Sequence, residues 1–308
     1  MSRKKIAGLV IVGVIVASIA LLVVLPGGQQ LGGTRDAVAV VALAGPIQET
    51  GSASLLGGGA ITPQLVRNRL QSAQASPRIK AVVLRVDSPG GTVGASQEIA
   101  GMIGDFDKPI VVSMGDTVAS GGYYISSQAD AIVAQPGTLT GSIGVIWASF
   151  DPTRLFRKLG IEIDAVTAGK NKDMFLPGRL TPERRRLVQR IVNIMYDQFV
   201  SAVARGRDLP EGKVRRLATG ELYTGRQALG SGLVDELGGL DEALDRAEEL
   251  AEIDGAEVVE LSPSLFEQLF GSHTPGALQR LWDPVDPSSR LVLLRELLTN
   301  YLVPRYGA

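Results

Sequence analysis

Residues 116–130 read Asp116-Thr117-Val118-Ala119-Ser120-Gly121-Gly122-Tyr123-Tyr124-Ile125-Ser126-Ser127-Gln128-Ala129-Asp130, soon after the apolar run at 110–114. The run predicts a buried strand, and the residues after Ser120 predict the start of a helix. Ser120 then stands at a strand-to-helix turn, over the unpaired amides of the first helical turn. Those amides and the helix dipole favour negative charge developing beside the hydroxyl. Gly121 and Gly122 let another backbone approach without Cβ obstruction. An ordinary Gly-rich turn with a serine cap would satisfy the same stretch, so its meaning depends on the rest of the chain.

Outward from that turn, strands and helices alternate. Residues 36–43 predict a first strand. Residues 63–75 predict a helix capped by Thr62, with Leu65, Val66 and Leu70 on one face. A continuous apolar strand at 80–86 is ended by Asp87-Ser88-Pro89-Gly90-Gly91, and a helix follows at 93–106. Further short strands are predicted at 131–134, 142–147 and 161–167, with helices at 151–159, 182–205, 211–218, 225–229 and 241–253. The run Glu183-Arg184-Arg185-Arg186 reads as a solvated first helical turn. This order predicts an α/β domain over residues 36–254 with mostly parallel strands buried on both faces. Residues 255–308 break into short apolar pieces and predict a mainly helical appendage.

Composition narrows the chemistry. Of 308 residues, 45% are apolar but only 5% aromatic, so the core must be aliphatic. Beyond Arg3, Lys4 and Lys5 the chain holds 28 basic and 32 acidic residues, which argues against a nucleic-acid partner. The absence of cysteine excludes disulfides, thiol nucleophiles and Cys-based metal sites. A single histidine, His273, excludes a His-rich metal site, and no motif implies a cofactor. Residues 6–25 are almost wholly apolar, about the length that spans a bilayer as a helix. The basic residues within 1–5 predict a cytoplasmic N-terminus and the bulk of the chain on the far side of the cell membrane. No small-x-small cleavage site closes the run, so an uncleaved anchor is expected, followed by a flexible linker at 26–35.

A serine nucleophile needs a base that takes its proton near neutral pH. With no serviceable histidine, lysine is the substitute, and Ser-Lys pairs follow the same logic as the Ser-His-Asp triad. Lysine ordinarily titrates near pH 10.4, and burial among neutral partners lowers that value. Of eight lysines, Lys4 and Lys5 lie across the membrane, while Lys80, Lys108, Lys158 and Lys213 fall at strand starts or on polar helix faces. Lys170 and Lys172 remain, in an irregular loop, and spacing does not choose between them. Donors for an oxyanion are offered by the Gly121 amide and by the turn at 87–91, which also joins a buried strand to a helix.

Four motifs in order, Ser88-Pro89-Gly90-Gly91, Ala119-Ser120-Gly121-Gly122-Tyr123-Tyr124, Thr140-Gly141-Ser142-Ile143-Gly144-Val145 and Lys172-Asp173, closely resemble signal peptide peptidase A. The resemblance is to the short form with one catalytic unit, and it covers about residues 38–252. Tyr223-Thr224-Gly225 and Leu233-Val234-Asp235 also match. The resemblance implies a fold like that of the Clp protease and crotonase proteins, built from repeated β-β-α units. It implies Ser120 as nucleophile, Lys172 as base 52 positions later, Ser142 orienting that lysine, and the Gly90 and Gly121 amides as oxyanion hole. It further implies a membrane-anchored serine endopeptidase acting on remnant signal peptides, assembled as a homo-oligomeric ring or dome. Two alternatives from other classes are a crotonase-type acyl-CoA enzyme and a catalytically dead membrane scaffold.

Overall fold

Small and β-branched residues without polar alternation set the first three strands. In the computed structural model the described residues are 35–50, 59–174, 176–178 and 180–261. The expected anchor at 6–25, His273 and the appendage from residue 262 onward lie outside them. Among the described residues no helix is long and apolar enough to cross a membrane.

Strand β1 (Ala37–Ala44), with the sequence AVAVVALA, is buried on both faces over its first five residues. It pairs in parallel with β2 (Ile79–Ser88), and β2 pairs in parallel with β3 (Ile110–Ala119). Two strands share the other edge of β3. β4 (Ala131–Ala134) pairs with Val111–Ser113, and β5 (Leu139–Gly141) pairs with Thr117–Ala119. β6 (Leu222–Thr224) runs antiparallel to β5, β7 (Glu236–Leu237) extends β4, and β8 (Glu257–Glu260) lies parallel to β1. The result is one eight-stranded mixed sheet. β8 comes from the segment expected to be an appendage, so the sheet reaches past residue 254.

Helices cover both faces. On one side α1 (Pro63–Ala75) and α2 (Val93–Gly104) bring Leu70, Ile99 and Ile103 against Val41, Leu84 and Val112. On the other, α8 (Leu240–Leu250) sets Ala243 and Ala247 against Val40, Val83 and Val111. Each fully buried Val, Leu or Ile contributes about 1.5–3 kcal/mol. The Thr62 hydroxyl accepts from Leu65 N–H at 3.1 Å and starts α1, with Pro63 at its first position. Losing that cap would cost about 1 kcal/mol.

Two expectations fail. β2 and β3 run beyond 86 and 114, with Ser88 pairing Val118, so the turns that follow them lie together at one end of the sheet. Residues 142–147 and 161–167 are not strands. Their apolar pattern suits a strand, but among the described residues the backbone pairing beyond β5 reaches only Ser142 and Ile143, on Glu221 and Gly220, and stops there. Ile146, Ile161, Ile163 and Val166 stand exposed instead, and the strand of this region is the shorter β5.

Candidate active site

Ser120 ends β3 and opens α3 (Gly121–Ser126), with φ 51° and ψ −121°. A non-glycine residue there is strained by about 1–3 kcal/mol and persists only where its surroundings fix it. Two backbone bonds do so: Ser120 N–H donates to the Gly141 carbonyl at 2.9 Å, and Tyr124 N–H donates to the Ser120 carbonyl at 2.8 Å. The side chain makes no cap bond, which leaves the hydroxyl uncommitted to its own helix. Ser142 is the other serine at positive φ, 49°, held by its N–H on the Glu221 carbonyl at 2.8 Å. Both serines line one cleft of about 560 Å³.

The turn after β2 lies against this serine. A Cβ built on Gly121 would stand 2.5 Å from Ser96 Oγ and 3.1 Å from Gly91 N, so only glycine fits. Gly90 N–H donates to the buried Ser88 Oγ at 3.2 Å, so in this structure that amide is already engaged. The neighbouring Gly91 N–H has no acceptor among the described residues. Behind them, the buried Tyr123 hydroxyl donates to the Leu233 carbonyl at 2.8 Å, tying α3 to the far loop. Burial pushes the Tyr123 pKa well up, so it stays a neutral donor.

Helix α5 (Pro182–Gly206) supplies a wall of the cleft through Gln189, Val192, Asn193 and Tyr196, and Ala218–Gly220 close it. None of these residues belongs to a motif readable in the sequence. Their spacing of three and four along one face is the signal that could have found them.

Lys172 sits in the loop between 168 and 177, exposed, with its N–H on the Gly169 carbonyl at 3.0 Å. It is not among the residues lining the Ser120 cleft, and no hydrogen bond joins its side chain to Ser120 or Ser142 among the described residues. The neighbouring Lys170 pairs with Glu183 at 3.0 Å, and Asp173 pairs with Arg184 at 2.5 Å. The hydrogen bond and charge of Lys170 hold the Glu183 carboxyl below its usual range.

A profile described as Peptidase family S49 matches residues 104–254. A putative signal peptide peptidase SppA of Enterococcus faecium is 36% identical over 233 residues, covering 74% of this chain and 68% of that protein. The chain belongs to peptidase family S49. Protease 4 of Salmonella typhi, another relative, is 37% identical over 223 residues, 71% of this chain but only 35% of its own length. The S49 chain thus spans about a third of that larger protein. In structure, a serine mutant of the 1510-N membrane-bound stomatin-specific protease superposes with a TM-score of 0.52 at 16% identity, covering 75% of this chain and all of that one. That likeness concerns the fold.

Proposed function

We propose that this S49 chain is a serine endopeptidase in which Ser120 attacks the peptide carbonyl and Lys172 is the base. The observation that carries the reading is Ser120 itself. It is held at φ 51° beside a cleft, with the Gly121 amide directly behind it and the Gly90-Gly91 turn pressed on its backbone. Lys172 Nζ takes the proton from Ser120 Oγ as the Oγ–C bond forms. The tetrahedral oxyanion is met by the Gly121 amide and by the 90–91 turn, where Gly91 is the unengaged donor and Gly90 becomes one if it leaves Ser88. The resulting ammonium protonates the leaving amine, and water then hydrolyses the acyl-enzyme.

We further propose that the site is completed by assembly. Between Ser142 and Lys172 lie Phe150, Leu155, Leu159 and Val166, all more than half exposed. So many exposed apolar side chains in one segment suit a protein interface, and a second copy seated on them is the means by which a lysine approaches a cleft it does not line within one chain. The apolar wall formed by Val145, Ile146, Val192 and Ala218 suits apolar peptides such as remnant signal peptides. An anchor at residues 6–25 would hold the domain on the outer side of the cell membrane. The 1510-N protease, whose lysine mutant was solved with a substrate peptide, offers a fold precedent for a peptide complex.

The test is labelling by a fluorophosphonate in washed membranes, with cleavage of an apolar fluorogenic peptide. Ser120→Ala should lose both. Lys172→Ala should lose cleavage while Lys170→Ala keeps most of it; the reverse would reassign the base, and labelling that survives in Ser120→Ala would reassign the nucleophile.

A further inference from the structure

We propose that Arg184 is a positioning residue for the lysine base, acting through Asp173; this rests on the reading of Lys172 given above. A cation at the start of a helix opposes the helix dipole, so Arg184 in the first turn of α5 calls for a partner. It has one in Asp173, the residue directly after Lys172, at 2.5 Å. Two ion pairs join this loop to the helix, and burial separates them. The Lys170–Glu183 pair is 79% and 56% exposed, whereas the Arg184–Asp173 pair is 28% and 36% exposed. Solvent screens the first pair more than the second. The second is the latch.

The latch has rigid ground on both sides. Thr181 Oγ1 accepts from Arg184 N–H at 3.3 Å and Pro182 fixes the first helical position, so the arginine stem starts from a capped turn. In the loop, Met174 N–H bonds the Asn171 carbonyl at 3.2 Å and Leu176 N–H bonds the Asp173 carbonyl at 3.1 Å. A shift of Asp173 therefore moves Lys172 with it. Two turns further on, α5 forms the wall of the Ser120 cleft with Gln189 and Asn193. One stiff helix thus sets both the cleft and the loop that bears the base, whichever copy's serine that base serves.

Turnover is sensitive to such placement, since a displacement of about 1 Å can cost about 100-fold. The experiment uses the full chain in membranes, with turnover and KM measured on the apolar peptide beside a thermal melt. Arg184→Met and Asp173→Asn should each lower kcat by about 10-fold or more, with KM and melting temperature nearly unchanged. Glu183→Gln should stay near wild type. The exchanged pair, Asp173→Arg with Arg184→Asp, should recover most of the lost kcat, whereas a merely structural role would show as a lowered melting temperature in both single variants. Wild-type kcat in Arg184→Met or Asp173→Asn, or an exchanged pair no better than the single variants, overturns the proposal. Full activity in Lys172→Ala instead sinks the base assignment itself. A dead Lys172→Ala with wild-type Arg184→Met sinks only the latch.

Discussion

Gly90 and Ser120 touch across two turns that are 30 residues apart in sequence: a Cβ built on Gly90 would lie 2.9 Å from Ser120 Cβ, 2.9 Å from the Ala119 carbonyl oxygen and 2.6 Å from Gly121 N. Gly90 also sits at φ +99°, where a side chain is strained in any surroundings. Gly90→Ala should therefore destabilise the fold by about 1–3 kcal/mol and displace Ser120. Chemical denaturation would read the first effect, and loss of fluorophosphonate labelling the second.

Strain at Ser120 should be recoverable as stability. Ser120→Gly removes the Cβ that disfavours φ 51°, so the folded state should gain about 1 kcal/mol while cleavage is lost. Ser120→Ala keeps the Cβ and should gain nothing. A melting temperature for Ser120→Gly at or below that of Ser120→Ala would contradict the strain reading.

A lysine acts as base only when unprotonated, so peptide cleavage should rise as pH is raised from neutrality. Initial rates across the range check this; a maximum below about pH 6 would be incompatible with an amine base.

Val166 is 99% exposed and Phe150 is 82% exposed. Changing either to Asp should weaken self-association about 10-fold or more and lower cleavage in step, with the fold of the subunit intact. Sedimentation velocity beside circular dichroism would show it. Unchanged assembly in both variants would remove the support for a site shared between copies.

Acid stability should depend on Glu242. Its carboxylate accepts from Gly239 N–H at 2.6 Å, and that bond, with a second from its own amide, holds its pKa below the ordinary 4.5. A depressed folded pKa gives stability that is present above the unfolded value and is lost as pH falls through the folded one. Wild type should exceed Glu242→Gln in denaturant midpoint at about pH 7, and the difference should shrink toward about pH 3.

Much of this fold was legible where the local signal is strong. Thr62 before Pro63 and Thr181 before Pro182 mark helix starts that no packing was needed to find, and the aliphatic runs of β1 to β3 announce strands covered on both faces. The short strands Leu222–Thr224 and Glu236–Leu237 carry no such signal. They exist because β5 and β4 offer them an edge. At the site, the glycine turns could be read from spacing. Which of two adjacent amides stays unengaged could not, since it depends on the rotamer of Ser88. The placement of Lys172 was also hidden, because its loop is tied to α5 by a charge pair eleven residues apart, which no local pattern announces.

The parallel register also fixes a distance. Ala37 lies level with Ile79 at the entry end of the sheet, and Ser88 lies level with Val118, just ahead of Ser120, at the opposite end. Nine strand residues separate those levels along β2, about 30 Å. The anchor proposed at residues 6–25 would thus join the sheet at the end remote from Ser120. Were the domain anchored as proposed, an apolar peptide would leave the bilayer before it is hydrolysed, and the ease of that extraction would rank substrates before any pocket does.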